Sequence, residues 1–310
     1  MILGDHNMLE LIRTFEKNKG PVSSLSWSPD SKFLAIGAGS KEIWIRDIDT
    51  GEVVKSLECK GFPASIRKVY WSNKGDKIAA IHLKEFYIWD VKTGSMLLKM
   101  KKHRNDIASF SWSPDDKLFA TGAKDKFLAI WDLKKKDTLA VAKLKGKVND
   151  VAWSPDGKNI GIALDKYVGF TLKVKPLIKE FKVEGVLLKG HRNVLTSIRW
   201  DPKGERILTG SYDNTAIIWD AKEGKIIHTL IGHMGRFNYI TSVSWHPSGK
   251  YVATSSLDNT VRIWDSETGE EIEIIDLKKY VSDVIAWSPN GKYLAIGVNN
   301  SNILLYELEE

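Results

Sequence analysis

Seven tryptophans in one local context constrain the fold more than any other feature of the chain. They stand in SLSWSPD (Trp27), VYWSNKG (Trp71), FSWSPDD (Trp112), VAWSPDG (Trp153), IRWDPKG (Trp200), VSWHPSG (Trp245) and IAWSPNG (Trp287), at intervals of 44, 41, 41, 47, 45 and 42 residues. A unit of about 40 to 45 residues is one small sheet, which cannot bury its apolar faces alone and must stack on neighbours. Seven such units take up nearly all of the 310 residues, so the chain reads as one domain over 1–310. Within a unit the pattern has period 2, as in YVATSS and TVRIWD, between clusters of Asp, Asn, Pro and Gly that favour turns. Each unit accommodates four strands. No window carries a sustained helical period, and no Gly/Ser-rich stretch marks a linker.

The chain ends predict a closed ring. The last unit runs out after NILLYEL, Asn302 to Leu308, one strand short. LELIRTFE, Leu9 to Glu16, has no preceding unit, yet it stands before Trp27 as EEIEIIDL stands before Trp287. If it supplies the missing fourth strand of the last unit, the circle closes and no sheet edge is left exposed to aggregation at the seam.

Composition narrows the function classes. A chain that is 43% hydrophobic and 27% charged is not globally disordered. No apolar run reaches the length of a membrane span, and Asp5 and Glu10 interrupt the N-terminus before a signal-type core forms. Cys59 is the only cysteine, which excludes an intramolecular disulfide and a cysteine-based zinc site. A reducing compartment, the cytoplasm, is the expected location.

Trp89-Asp90, Trp131-Asp132, Trp219-Asp220 and Trp264-Asp265 each end the third strand of a unit, while Gly190-His191 and Gly232-His233 open units. With these dipeptides at matched positions, the sequence resembles the WD-repeat β-propeller family over essentially its whole length. The resemblance implies an all-β fold: a seven-bladed propeller of four-stranded antiparallel blades, with residues 9–16 as the fourth strand of the last blade.

Three units carry a further set that this family uses structurally: His103, Thr121, Asp125 and Trp131; His191, Thr209, Asp213 and Trp219; His233, Thr254, Asp258 and Trp264. The expected chemistry is a relay in which the indole N–H donates to the Thr hydroxyl, Thr donates to one imidazole nitrogen, and the other imidazole N–H donates to the carboxylate. A catalytic triad occurs once at a site, whereas this set recurs three times and includes an indole that occupies the hydroxyl. The relays are therefore read as structural. Four units depart from the pattern, with Ser40 and Arg46, Leu83, Thr171, and Asn300 and Tyr306 at relay positions.

Hydrolase, phosphate-loop, HExxH and CxxC motifs are absent. AIGAGSKE has only the first spacing of a dinucleotide fingerprint, with Glu42 in place of the third glycine, and reads as a turn between strands. His6, His82, His228 and His246 are isolated in sequence. No catalysis, cofactor, metal site or small-molecule substrate is expected.

Charge points to the partner. The chain carries a net +7, and residues 101–200 hold 21 Lys and Arg against 11 Asp and Glu, while residues 251–310 hold 4 against 11. In the expected fold, the loops between units lie on the same face as the relay Asp turns, conventionally the top. That face receives Lys19, Arg67, Lys101, Lys102, Arg104, Lys147, Arg192, Arg236, Lys278 and Lys279. The loop HMGRFNY, three residues longer than its counterparts, adds Arg236, Phe237 and Tyr239. Arg and aromatic side chains suit binding hot spots. The predicted partner site is thus Arg104, Lys147, Arg192, Arg236, Phe237, Tyr239 and Tyr280, facing an acidic protein or peptide. The expected function is a non-catalytic scaffold within a multiprotein complex. The alternative is RNA or ribonucleoprotein binding, with Tyr280, Phe237 or Phe127 stacking on bases. On the opposite face Leu177 and Ile178, in KVKPLIKE, are the comparable feature.

Overall fold

The computed structural model describes residues 7–16, 18, 20–58, 66–174, 185–235 and 238–309. Among them, 28 strands make seven four-stranded antiparallel sheets, each composed of consecutive strands except at the seam. Blades 1 to 6 begin at Ser24, Lys68, Ile107, Val148, Leu195 and Ile240, and blade 7 begins at Ser282. Each inner strand packs on the inner strands of both neighbours, which closes the ring around a central channel. The second and third strands of a blade are sandwiched between adjacent blades, so they read as continuous apolar runs. RILTGS in blade 5 has five consecutive buried residues, whereas its outer strand IIHTLI has one. Where blades approach closely only glycine fits: a Cβ on Gly122 would lie 2.3 Å from Val148 Cγ1, and one on Gly210 2.5 Å from Ile240 Cγ2.

The seam is built as the sequence implies. Strand Leu9–Phe15 pairs antiparallel with Ile303–Leu308, from Leu9 opposite Leu308 to Phe15 opposite Ile303. It also ties together the flanking blades. Leu9 N–H donates to Glu273 of blade 6 at 3.1 Å, and Arg13 Nη1 donates to the carbonyls of Ile48 and Asp49 in blade 1 at 3.0 and 2.7 Å. Asn18 Nδ2 donates to Ser301 O at 2.6 Å, while its Oδ1 accepts from Arg46, whose guanidinium lies over the Phe15 ring. Arg46 therefore spends its relay position on ring closure.

The seven repeat tryptophans fasten the blades to one another. Where the residue before the tryptophan is not serine, its carbonyl accepts the next blade's indole N–H: Trp112 to Tyr70, Trp200 to Ala152, Trp245 to Arg199, and Trp27 to Ala286 across the seam. Where it is serine, the hydroxyl accepts the next tryptophan's backbone N–H instead: Trp71 to Ser26, Trp153 to Ser111, and Trp287 to Ser244. Every blade junction thus has one of the two bonds. The serine version releases the indole, which explains why Trp71 donates to its own turn at Gly75 and why Trp153 and Trp287 Nε1 are buried without a partner.

One junction holds a buried histidine whose neutral form is favoured. His246 of blade 6 is buried, donates from Nε2 to Gly291 O of blade 7 at 2.9 Å, and accepts the Ser248 N–H at Nδ1 at 3.1 Å. Burial holds its pKa below the ordinary histidine value, against the opposing hydrogen bond to Gly291. In the neutral ring Nδ1 lies 2.7 Å from the Ser248 hydroxyl, which donates to it; protonation would reverse that bond and set the new proton against the Ser248 N–H. The unfolded chain takes up that proton first, so the stability from neutral His246 is present above about pH 6.5 and is lost as the pH falls below it. Denaturant midpoints measured at about pH 7.5 and pH 5.5 are expected to differ less for His246→Gln than for the wild type; equal differences would contradict this assignment.

Candidate protein-interaction face

The relay residues meet in all three blades. Trp131 Nε1 donates to Thr121 Oγ1 at 2.8 Å, Thr121 Oγ1 lies 2.8 Å from His103 Nε2, and His103 Nδ1 lies 2.9 Å from Asp125. The matching distances are 2.7, 2.7 and 2.9 Å for Trp219, Thr209, His191 and Asp213, and 2.9, 2.8 and 2.7 Å for Trp264, Thr254, His233 and Asp258. The three threonines are fully buried, so their hydroxyls reach no substrate.

Two of the relay carboxylates, and their counterpart in blade 4, also hold the rim loop beside them. The residue after the histidine donates its backbone N–H to that carboxylate, Arg104 to Asp125 and Arg192 to Asp213, each at 2.8 Å; Lys147 makes the same bond to Asp165 in blade 4. Their side chains are exposed on the top rim. The residue before the aspartate is tied to the preceding inter-blade loop through its own N–H, Lys124 to Asp106 O, Tyr212 to Val194 O and Leu257 to Tyr239 O. Lys124, Tyr212 and Leu257 all face the mouth of the channel.

The mouth is a cavity of about 760 Å³. Its inner ring is made by the residue four positions before each repeat tryptophan: Ser23, Arg67, Ala108, Asn149, Thr196, Thr241 and Asp283. In blades 3 to 7 that residue is the extra one of a β-bulge, which turns its side chain out of the ladder. Arg67, Lys68, Lys124 and Lys147 gather on the side of blades 2 to 4. Tyr212 and Tyr239 face them from blades 5 and 6, stacked with ring centroids 4.3 Å apart, and Tyr212 is 42% exposed. Arg67 is shared with Asp106 at 3.1 Å, while Lys124 and Lys147 make no ion pair among the described residues. Below the mouth, burial raises the Asp150 carboxyl, but Arg199, Lys68, the Ser109 hydroxyl and the Ile198 N–H outweigh it and hold the group ionised.

The predicted partner residues therefore divide. Lys147 and Tyr239 line the mouth; Arg192 stays on the rim and Arg104 lines a separate groove on blade 3. Tyr280 does not join them, because its N–H closes a turn on Leu277 O and its ring packs onto the core between blades 6 and 7. Arg236, Phe237, Lys19, Cys59, His6, Leu177 and Ile178 lie outside the described residues. Sequence reasoning missed Lys124 and Tyr212, although both precede an aspartate at the relay spacing. Apart from Arg67, it also missed the inner ring, whose signal is a fixed offset from the repeat tryptophan. Among the described residues no cluster of three His, Cys, Asp or Glu is arranged to hold a metal ion, and there is no helix long and apolar enough to cross a membrane.

Comparison with known proteins agrees with this architecture. The repeat profile described as WD domain, G-beta repeat matches residues 94–132, 182–220 and 224–265, and that of the Anaphase-promoting complex subunit 4 WD40 domain matches residues 7–74. WD repeat-containing protein AAC3 of Dictyostelium discoideum is 29% identical over 187 residues, covering 58% of this chain and 38% of that protein. THO complex subunit 3 of Arabidopsis thaliana is 25% identical over 225 residues, covering 70% and 68%. Cell division cycle 20.1, cofactor of APC complex, also of Arabidopsis thaliana, is 23% identical over 139 residues, covering 43% and 29%. The chain spans well under half the length of the first and third of these relatives.

Proposed function

The chain belongs to the WD-repeat β-propellers, and from that premise we propose that it is a non-catalytic scaffold that binds an acidic protein segment at the mouth of its channel. The observation that carries this reading is the two-sided mouth: four cations on one wall and, on the other, a stacked tyrosine pair of which Tyr212 is exposed. Long-range charge steers an acidic segment toward such a site, and ring burial anchors it, since exposed ion pairs alone contribute little. Relatives named as subunits or cofactors of complexes are consistent with it. A reducing compartment, the cytoplasm, is proposed with it.

Lys124→Glu combined with Lys147→Glu is expected to lower partner recovery from native lysate by about tenfold or more, with little change in melting temperature because neither residue belongs to a relay. Tyr212→Ala is expected to act mainly on dissociation. Unchanged recovery of every partner would reject the mouth as the site. Single-stranded RNA is the second reading, favoured by the same tyrosine stack beside cations. Asp165 and Asp283 in the lining argue against a polyanion. A labelled oligouridylate that binds with steep salt dependence, and loses binding in these variants, would select RNA instead.

A further inference from the structure

The three blades with complete relays differ beside the carboxylate. In blades 5 and 6 a threonine two residues after the aspartate clamps its second oxygen: Thr215 Oγ1 to Asp213 Oδ1 at 2.6 Å, and Thr260 Oγ1 to Asp258 Oδ1 at 2.7 Å. Two residues further on, Ile217 fills the space in blade 5, and Arg262 fills it in blade 6 while pairing with Glu271. Blade 3 has Phe127 and Ala129 at these positions. The small Ala129 leaves a groove of about 260 Å³, lined by Phe127, Trp131 and Val141 and by Lys102 and Arg104. Val141, directly opposite Ala129 on the outer strand, is 45% exposed.

We propose that this groove is a docking site separate from the mouth, taking one apolar side chain of leucine or methionine size from a linear peptide with carboxylates beside it. Shape selects the anchor: the walls are two aromatic rings and a valine, and the volume suits a single side chain. Charge selects its neighbours. Arg104 lines the groove, and the exposed Lys101 and Lys126 are the chain neighbours of its lining residues Lys102 and Phe127; the Arg104 backbone is held by Asp125 so that its side chain stays at the rim. Lys102 is already engaged by Asp137 and lies over the Trp131 ring, which makes it part of the wall. The outer strand Asp137–Lys143 pairs on one side only, so its free edge is available to an extended peptide. An RNA strand needs a track of cations for successive phosphates, and this groove offers an apolar slot with Asp125 in its lining.

Two substitutions separate the parts of the proposal. Ala129→Ile installs the residue that blade 5 carries and fills the slot; Arg104→Glu reverses the rim charge without entering the core. The probe is a phage-displayed library of random dodecapeptides selected on the full chain, with fluorescence anisotropy on labelled synthetic copies of the enriched sequences. The expected result is a class of peptides carrying Leu, Met, Ile or Phe next to Asp or Glu, weakened about tenfold or more by each substitution and unaffected by Lys124→Glu. Melting curves confirm that Ala129→Ile is folded; if it is not, Arg104→Glu alone decides. Enrichment of no such class, equal binding to the wild type and both variants, or displacement of the peptides by oligouridylate would overturn the proposal. Failure at Lys124 and Lys147 would reject the mouth and leave this groove standing, because the two surfaces have no residue in common.

Discussion

A chain truncated to begin at Pro21 is expected to lose cooperative folding or to aggregate. The truncation removes Leu9 and Phe15, which are 2% and 3% exposed, and truncating buried leucine or phenylalanine to alanine alone costs about 2–5 kcal/mol at each site. It also removes the bonds to Glu273, Ile48, Asp49 and Ser301 that join blades 6, 7 and 1. Set against a typical domain stability of about 5–15 kcal/mol, the loss takes most of what is available, and the bare edge of Ile303–Leu308 becomes a template for association. Phe15→Ala gives a graded version, expected to cost about 3–5 kcal/mol in denaturant unfolding. A truncated chain that stays monomeric and melts at the wild-type temperature would show that the seam is not needed.

Asp213→Ala is expected to cost about 1–3 kcal/mol, because it strands several donors at once, that of the buried His191 among them. His191 Nδ1–H, the Arg192 N–H, and the Thr215 N–H and hydroxyl all end on that carboxylate. Asp125 lacks the threonine clamp, so Asp125→Ala is expected to cost less. Lys222→Ala, on an exposed turn, serves as the unaffected control. Burial alone would raise the Asp213 carboxyl, but the His191 hydrogen bond and charge, then Thr215 and the Arg192 N–H, hold it well below 3.8. A depressed folded-state pKa gives stability that is present above the ordinary value of 3.8 and is lost as the pH falls below it. The gap between wild type and Asp213→Ala should accordingly narrow in acid. Equal midpoints for Asp213→Ala and Lys222→Ala at neutral pH would remove the relay from the account of stability.

Much of the architecture is legible because a repeat fold writes its geometry into fixed offsets. The tryptophan period gives the blades, the spare segment Leu9 to Glu16 gives the seam, and the spacing of Thr, Asp and Trp gives the relays. The interaction face was harder to read for physical reasons. The inner ring of the mouth depends on β-bulges, and an extra residue in a strand leaves no mark in an alternating pattern. Tyr212 sits among residues that belong to a relay, so its outward ring is hidden by its neighbours' structural role. Charge counts put the excess of cations on the middle units but could not separate Lys147, which reaches the mouth, from Arg104, which borders a groove. Tyr280 shows the converse: an aromatic in a top loop that the adjacent Leu277 turn folds back onto the core.

The most direct measurement of the central claim is site-specific photo-crosslinking with benzoylphenylalanine in place of Tyr212, in the full chain and in native lysate. The account predicts a discrete crosslinked protein, lost when Lys124→Glu and Lys147→Glu are added. It would be contradicted if position 212 gave no protein adduct while the same group at Lys158, on the opposite face, did.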